Sequence, residues 1–142
     1  MNLMQKMDAK KAQSPEQDAP ASFHQSLTPR SISFVEFRPD ALTRVGFPMA
    51  QLCSYTLEPN PAADGPGDPL AERLTLGFST ADVVLFGARL AGLIPLLNEH
   101  RLEWVAQVDD RYLNANSLAW VGRIAIGRLD QAQPPKGEGN PA

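Results

Sequence analysis

A single cysteine in 142 residues leaves no pair for a disulfide and no set of thiolates for an all-cysteine metal cluster. Long apolar runs are missing too. The longest, 81–94, is broken by Asp82, Gly87, Arg89 and Gly92 and falls short of the ~18–20 residues of a membrane-spanning helix. No membrane association is expected. Nor does one sign of charge dominate, with 13 Lys and Arg against 16 Asp and Glu, a net of −3. That balance argues against nucleic acid as a partner, which would call for clustered basic residues. The first residues lack the apolar stretch of ~7–15 residues and the small-residue cleavage site of a secretory signal, so a cytoplasmic location is expected.

Lysine is absent from residues 31–129, which carry eight arginines. The four lysines, Lys6, Lys10, Lys11 and Lys136, lie near the ends. An Arg-for-Lys codon bias, joined to arginine's ability to lay its stem along apolar surface, accounts for the partition without invoking phosphate recognition. Proline and glycine, by contrast, are plentiful, at 13 and 10 residues. Six prolines fall within 1–30 and 130–142, and four more within 59–69. The chain therefore divides into a flexible N-terminal tail (1–30), a single α+β domain (31–129) and a flexible C-terminal tail (130–142). A hydrophobic fraction of 43% is enough to give that domain a core.

Within it, Ile32–Phe37 reads as a strand with apolar residues on both faces. Pro39 and Asp40 open a short helical turn, with Asp40 as N-cap and Gly46 as stop. Met49–Leu57 reads as a second strand that sets Cys53, Tyr55 and Leu57 against Ser54 and Thr56, with a slip near Leu52 that marks a bulge. Glu72–Phe78 alternates cleanly, and Ser79-Thr80-Ala81 leads tightly into Asp82–Phe86, a continuous apolar run that fits a strand buried on both faces, so these two strands form a hairpin. Leu90, Leu93, Ile94 and Leu97 then recur at helical spacing. Pro95 either kinks that helix or lies in its first turn, with the start near Gly92–Leu93, and a late or irregular start is the expectation. Two further strands contain Trp104 and Trp120; paired as a hairpin centred near Asn114, they face Trp104 with Ile124 and Trp120 with Val108. The expected fold is α+β, with about five or six mostly antiparallel strands and one principal helix after the central hairpin.

Catalytic signatures are lacking. Gly65-Pro66-Gly67 has no Lys-Ser/Thr end to cradle a phosphate. Asp64 and Asp68 offer too few oxygens for a calcium ion, which takes six to eight. His24 falls in the N-terminal tail. His100 follows the helix, where a cation complements the dipole, and the adjacent Glu99 points about 100° away from it. Cys53, on an apolar strand face, is expected to pack as a small hydrophobe with no base beside it. No metal and no cofactor are expected, and an enzyme using His100 with neighbouring acids ranks last among the readings, since it needs His100 and a carboxylate together in one cleft.

A sheet covered by one helix leaves a face or edge open, and partners dock at such places. The expected function is therefore a non-enzymatic protein-interaction or assembly module, acting on a protein partner or a second copy. The alternative is a small-ligand-binding domain with a pocket between sheet and helix lined by Trp104, Trp120 and Phe86. Arg89 and Arg101, near these aromatics in sequence, complete the candidate binding residues. A basic aromatic face for single-stranded nucleic acid is opposed by Glu99, Glu103, Asp109 and Asp110.

Overall fold

The computed structural model describes residues 20–65 and 67–128. Eight strands form two four-stranded sheets: β1 (Phe23–Gln25), β2 (Phe34–Arg38), β3 (Val45–Pro48), β4 (Leu52–Pro59), β5 (Glu72–Phe78), β6 (Ala81–Ala88), β7 (Leu102–Ala106) and β8 (Trp120–Arg128). The first sheet runs β1-β7-β2-β3 and the second β4-β5-β6-β8. Only β2 and β7 pair in parallel. Among the described residues one α-helix, α1 (Ile94–Asn98), follows a 3-10 turn over Leu90–Leu93. The protein is thus mixed α and β but dominated by strands, with more of them than the five or six expected.

The β5–β6 hairpin is the part the sequence specifies most directly. Phe78 pairs with Ala81 across the two-residue turn Ser79–Thr80. Leu74, Leu76 and Phe78 on one strand, and Ala81, Val83 and Leu85 on the other, are buried. Thr75, Gly77, Asp82 and Val84 alternate to the outer face, so β6 is buried on one face and not on both as its apolar run suggests. The inner faces of both sheets meet in one core with Leu90, Leu93, Leu96 and Leu97. Phe37 and Phe47 from the first sheet meet Phe78 from the second, with the Phe47 and Phe78 rings stacked 4.8 Å apart. Pro95 lies in the first turn of α1, the late start its missing N–H demands.

Four expectations are corrected. Phe23–Gln25, inside the stretch expected to be tail, is an edge strand on β7. It is held by Ser22, whose buried Oγ accepts the Val121 N–H at 2.9 Å. Residues 1–19 and 129–142 lie outside the described residues. No helical turn forms after Pro39. Asp40 instead accepts the Leu42 N–H at 2.9 Å and the Thr43 hydroxyl at 3.0 Å, and Gly46 pairs with Glu36 in β3. A single turn is costly to nucleate, and the edge of β2 supplies the backbone partners directly.

The Trp104 and Trp120 strands do not form a hairpin either. β7 sits between β1 and β2, while β8 joins β6 in the other sheet. Both are half-buried strands, and their alternation fixes a face without choosing a neighbour. The last correction concerns β4. Its register slips between Leu52 and Ser54, the bulge expected there, but Cys53 is exposed and Tyr55 and Leu57 keep 38% and 36% of their surface. β4 is an edge strand, and a strand that closes only one side of a sheet cannot bury its apolar face completely.

Candidate functional site

The five candidate binding residues do not converge on one pocket. Trp104 lies on the outer face of the first sheet, its ring stacked on His24 at 5.9 Å and covered by the Arg38 guanidinium at 4.3 Å. These neighbours come from the two flanking strands, so the indole is occupied by its own chain. His24 Nδ1 also contacts Glu103 Oε1 at 2.8 Å. Phe86 lies on the outer face of the second sheet beneath the Arg123 guanidinium, 5.4 Å from the ring centre. Arg89, in a left-handed conformation with φ 56°, donates to the carbonyls of Leu118 and Leu113. Arg101 donates to the Ser26 carbonyl, to Glu99 and to Gln25, fastening β1 to the end of α1. Both arginines act as braces.

Trp120 does border a cleft, of about 560 Å³, with Leu70, Asp68, Asp109 and Asp110 around it. The ring packs on Gly122, where an added Cβ would meet both the indole and Leu70. Trp120 is only 4% exposed, and its Nε1–H donates to the Asp109 carbonyl at 3.3 Å. The backbone N–H groups of Asp64 and Leu70 hold the Asp68 carboxyl below its usual range, so it stays ionised at lower pH. Among the described residues, no group of three His, Cys, Asp or Glu side chains is placed to hold a metal ion. No described helix is long and apolar enough to cross a membrane.

The other distinctive place is the free edge of β4. In an antiparallel ladder, alternate residues turn both backbone polar groups to opposite sides. The tight Phe78–Ala81 closure turns Phe78, Leu76 and Leu74 toward β6, which leaves Gly77, Thr75 and Arg73 facing β4. Their partners Ser54, Thr56 and Glu58 therefore carry the β4–β5 hydrogen bonds. The Asn60 N–H, donating to the Ala71 carbonyl at 2.8 Å, keeps the same phase. Tyr55 and Leu57 consequently direct their N–H and C=O groups away from the sheet. Pro59, which has no N–H, falls on that outward side without loss.

No other edge of comparable length is open among the described residues. β1 has three residues, and β3 has four and ends in Pro48. The first half of the β8 edge is engaged by its own chain. Val121 bonds Ser22 and Val108 at 2.9 Å each, and the Ile124 N–H reaches Gln107 Oε1 at 2.8 Å. β4 has eight residues, and Cys53–Leu57 are all exposed. Beside it, a cleft of about 370 Å³ opens between β4 and the end of α1, lined by Leu52, Cys53, Tyr55, Leu97 and His100. The Tyr55 hydroxyl donates to Asn98 Oδ1 at 3.1 Å across this cleft, and Cys53 Sγ donates to the Gln51 carbonyl at 3.3 Å.

The sequence reading placed Tyr55 and Leu57 in the core and so missed this edge. The one local signal was Pro59 at the end of the strand, since proline within sheets is confined to edges, first positions and bulges; the absence of lysine and arginine from Leu52–Pro59 pointed the other way. No family model matches the chain, and the searches of curated proteins and of solved structures found no similar protein.

Proposed function

We propose that this chain is a non-enzymatic interaction module that accepts an extended segment as an added strand beside β4. The observation that supports the reading is the outward set of N–H and C=O groups on Tyr55 and Leu57, unpaired among the described residues. Strand addition draws affinity from such main-chain groups and specificity from adjoining pockets, and the cleft against α1 supplies a pocket of that kind. Glu58 is the only charged side chain on β4, and Arg73 already pairs with it at 2.6 Å. An incoming strand therefore meets little net charge. A reducing, cytoplasmic setting fits the exposed thiol of Cys53.

Proline substitutions separate the two sides of β4. Leu57→Pro removes an outward N–H and leaves the β5 ladder intact, so the variant folds. Thr56→Pro removes a donor to β5 and costs about 1–3 kcal/mol in chemical denaturation. Octapeptides selected from a random display library on the full chain are expected to bind Leu57→Pro at least about tenfold more weakly than Leu57→Ala, which retains the N–H. A selection yielding no peptide that depends on that N–H contradicts the reading.

A small-molecule role rests on the Trp120 cleft, whose volume falls within the range of about 300–1,000 Å³ typical of ligand sites. Its carboxylates favour a cation. Thermal-shift measurements with small organic amines test it, and Asp109→Asn should weaken any stabilisation they produce.

A further inference from the structure

We infer that the strand added beside β4 is β4 of a second copy of this chain, paired antiparallel about a two-fold axis at Thr56. This partner assignment rests on the strand-addition reading above. Residues facing each other across an antiparallel pair must share a face of the sheet, which limits the registers to a few.

With the axis at Thr56, Tyr55 faces Leu57 of the second copy, and Leu57 faces its Tyr55. These are the two residues whose N–H and C=O groups point outward, so each pair exchanges two hydrogen bonds and the edge is satisfied by four. Shifting the axis to Tyr55 sets Leu57 opposite Cys53, where the register slip of the bulge takes the strand out of line. Shifting it to Leu57 sets Tyr55 opposite Pro59, which has no N–H to give. Of these registers, only the one centred on Thr56 pairs all four outward groups.

The side chains agree with it. Tyr55 and Leu57, 38% and 36% exposed, lie on the inner face beside Leu76 and Leu74, and each would cover the other's counterpart. An aromatic–aliphatic pair of this kind favours strand association. On the outer face Thr56 meets Thr56, and Ser54 meets Glu58. No like charges oppose each other, and Ser54 brings a hydroxyl to a carboxylate already balanced by Arg73. The two sheets would join into one of eight strands, with β4 no longer an edge. A two-fold interface of this kind closes on itself and does not propagate into a filament.

The test is site-directed crosslinking on the full-length chain carrying Cys53→Ser. In this register Thr56 and its counterpart form a pair without mutual hydrogen bonds, roughly 4.5 Å apart at Cα, within the range a disulfide spans. Thr56→Cys should therefore oxidise to a covalent dimer, while Glu58→Cys, facing Ser54, should not. Light scattering should give twice the monomer mass at high concentration for the unsubstituted chain, and the monomer mass for Leu57→Pro. A monomer at every concentration with no Thr56→Cys crosslink overturns the proposal. So does a dimer that crosslinks at Glu58→Cys instead. If selected octapeptides still bind in a Leu57-dependent way while the chain stays monomeric, strand addition survives and the second copy is excluded as its partner. If they do not bind, both fail.

Discussion

Gly87→Ala is expected to lower the unfolding free energy by at least about 3 kcal/mol, a large part of the roughly 5–15 kcal/mol that holds a domain of this kind together. The cause is a close approach of two backbones. Gly87 sits at the register slip between β6 and β8, where it faces Val121. A Cβ there would run into the carbonyl of Trp120 and come within 3.1 Å of the Val121 Cα. Neither obstacle is a side chain that can swing aside, and both belong to a strand paired along its length. Relief requires β8 to move from β6, which also disturbs Ser22 and Val108 where they bond Val121. Urea denaturation measures the loss. Gly92→Ala is the matched control: nothing lies within 4 Å of a Cβ built there, and the change should stay within about 0.5 kcal/mol.

Phe37→Ala should cost about 3–5 kcal/mol. Phe37 is fully buried and packs against Phe47 at 6.2 Å and Phe78 at 6.1 Å, so its loss opens a cavity where the two sheets meet. Phe37→Leu, which keeps most of the volume, should lose less than about 1.5 kcal/mol. Phe34, three residues earlier on the same strand, points to the outer face and is 59% exposed. Phe34→Ala should change stability by no more than about 0.5 kcal/mol. The contrast tests which face of β2 is inward, a point its sequence left open because apolar residues occupy both sides.

Elements whose partners are close in sequence were legible. β5 alternates strictly and a two-residue turn joins it to the apolar run of β6, so neighbour and register follow together, whereas the run Val83–Phe86 does not say which face of β6 is inward. Pro95 marked where α1 is irregular, and the structure decides for a start at Ile94 over a kink, with the proline in the first turn. Distant partners were not legible. β1 is three residues long and depends on β7 and on a bond from Ser22 to Val121, contacts that span the domain. Asp40 and Gly46 are punctuation that serves a helix, an aspartate-capped turn or a strand equally well, and β2 decided among them.

The same limit governs the candidate site. That β4 is a strand, and that it bulges after Leu52, could be read from its residues. That it lies at an edge could not, because this depends on the first sheet ending at β3 and the second at β4. Cys53, Tyr55 and Leu57 are apolar enough for a core, and only the topology leaves them in the open. Trp104 and Phe86 drew attention as large aromatics, yet Arg38 and Arg123 cover them. Arginine stems and planes close over these rings on the outer faces.

Amide hydrogen exchange at Tyr55 and Leu57, resolved by NMR and followed as the full-length chain is concentrated, tests the use of the β4 edge most directly. In dilute solution these two amides should exchange freely, while Thr56 and Glu58 between and beside them are protected by β5. Raising the concentration should slow Tyr55 and Leu57 together and leave Thr56 and Glu58 as they were. If Tyr55 and Leu57 are protected in the dilute monomer, or stay unprotected at every concentration and in the presence of a selected octapeptide, the edge is not where this protein meets a partner.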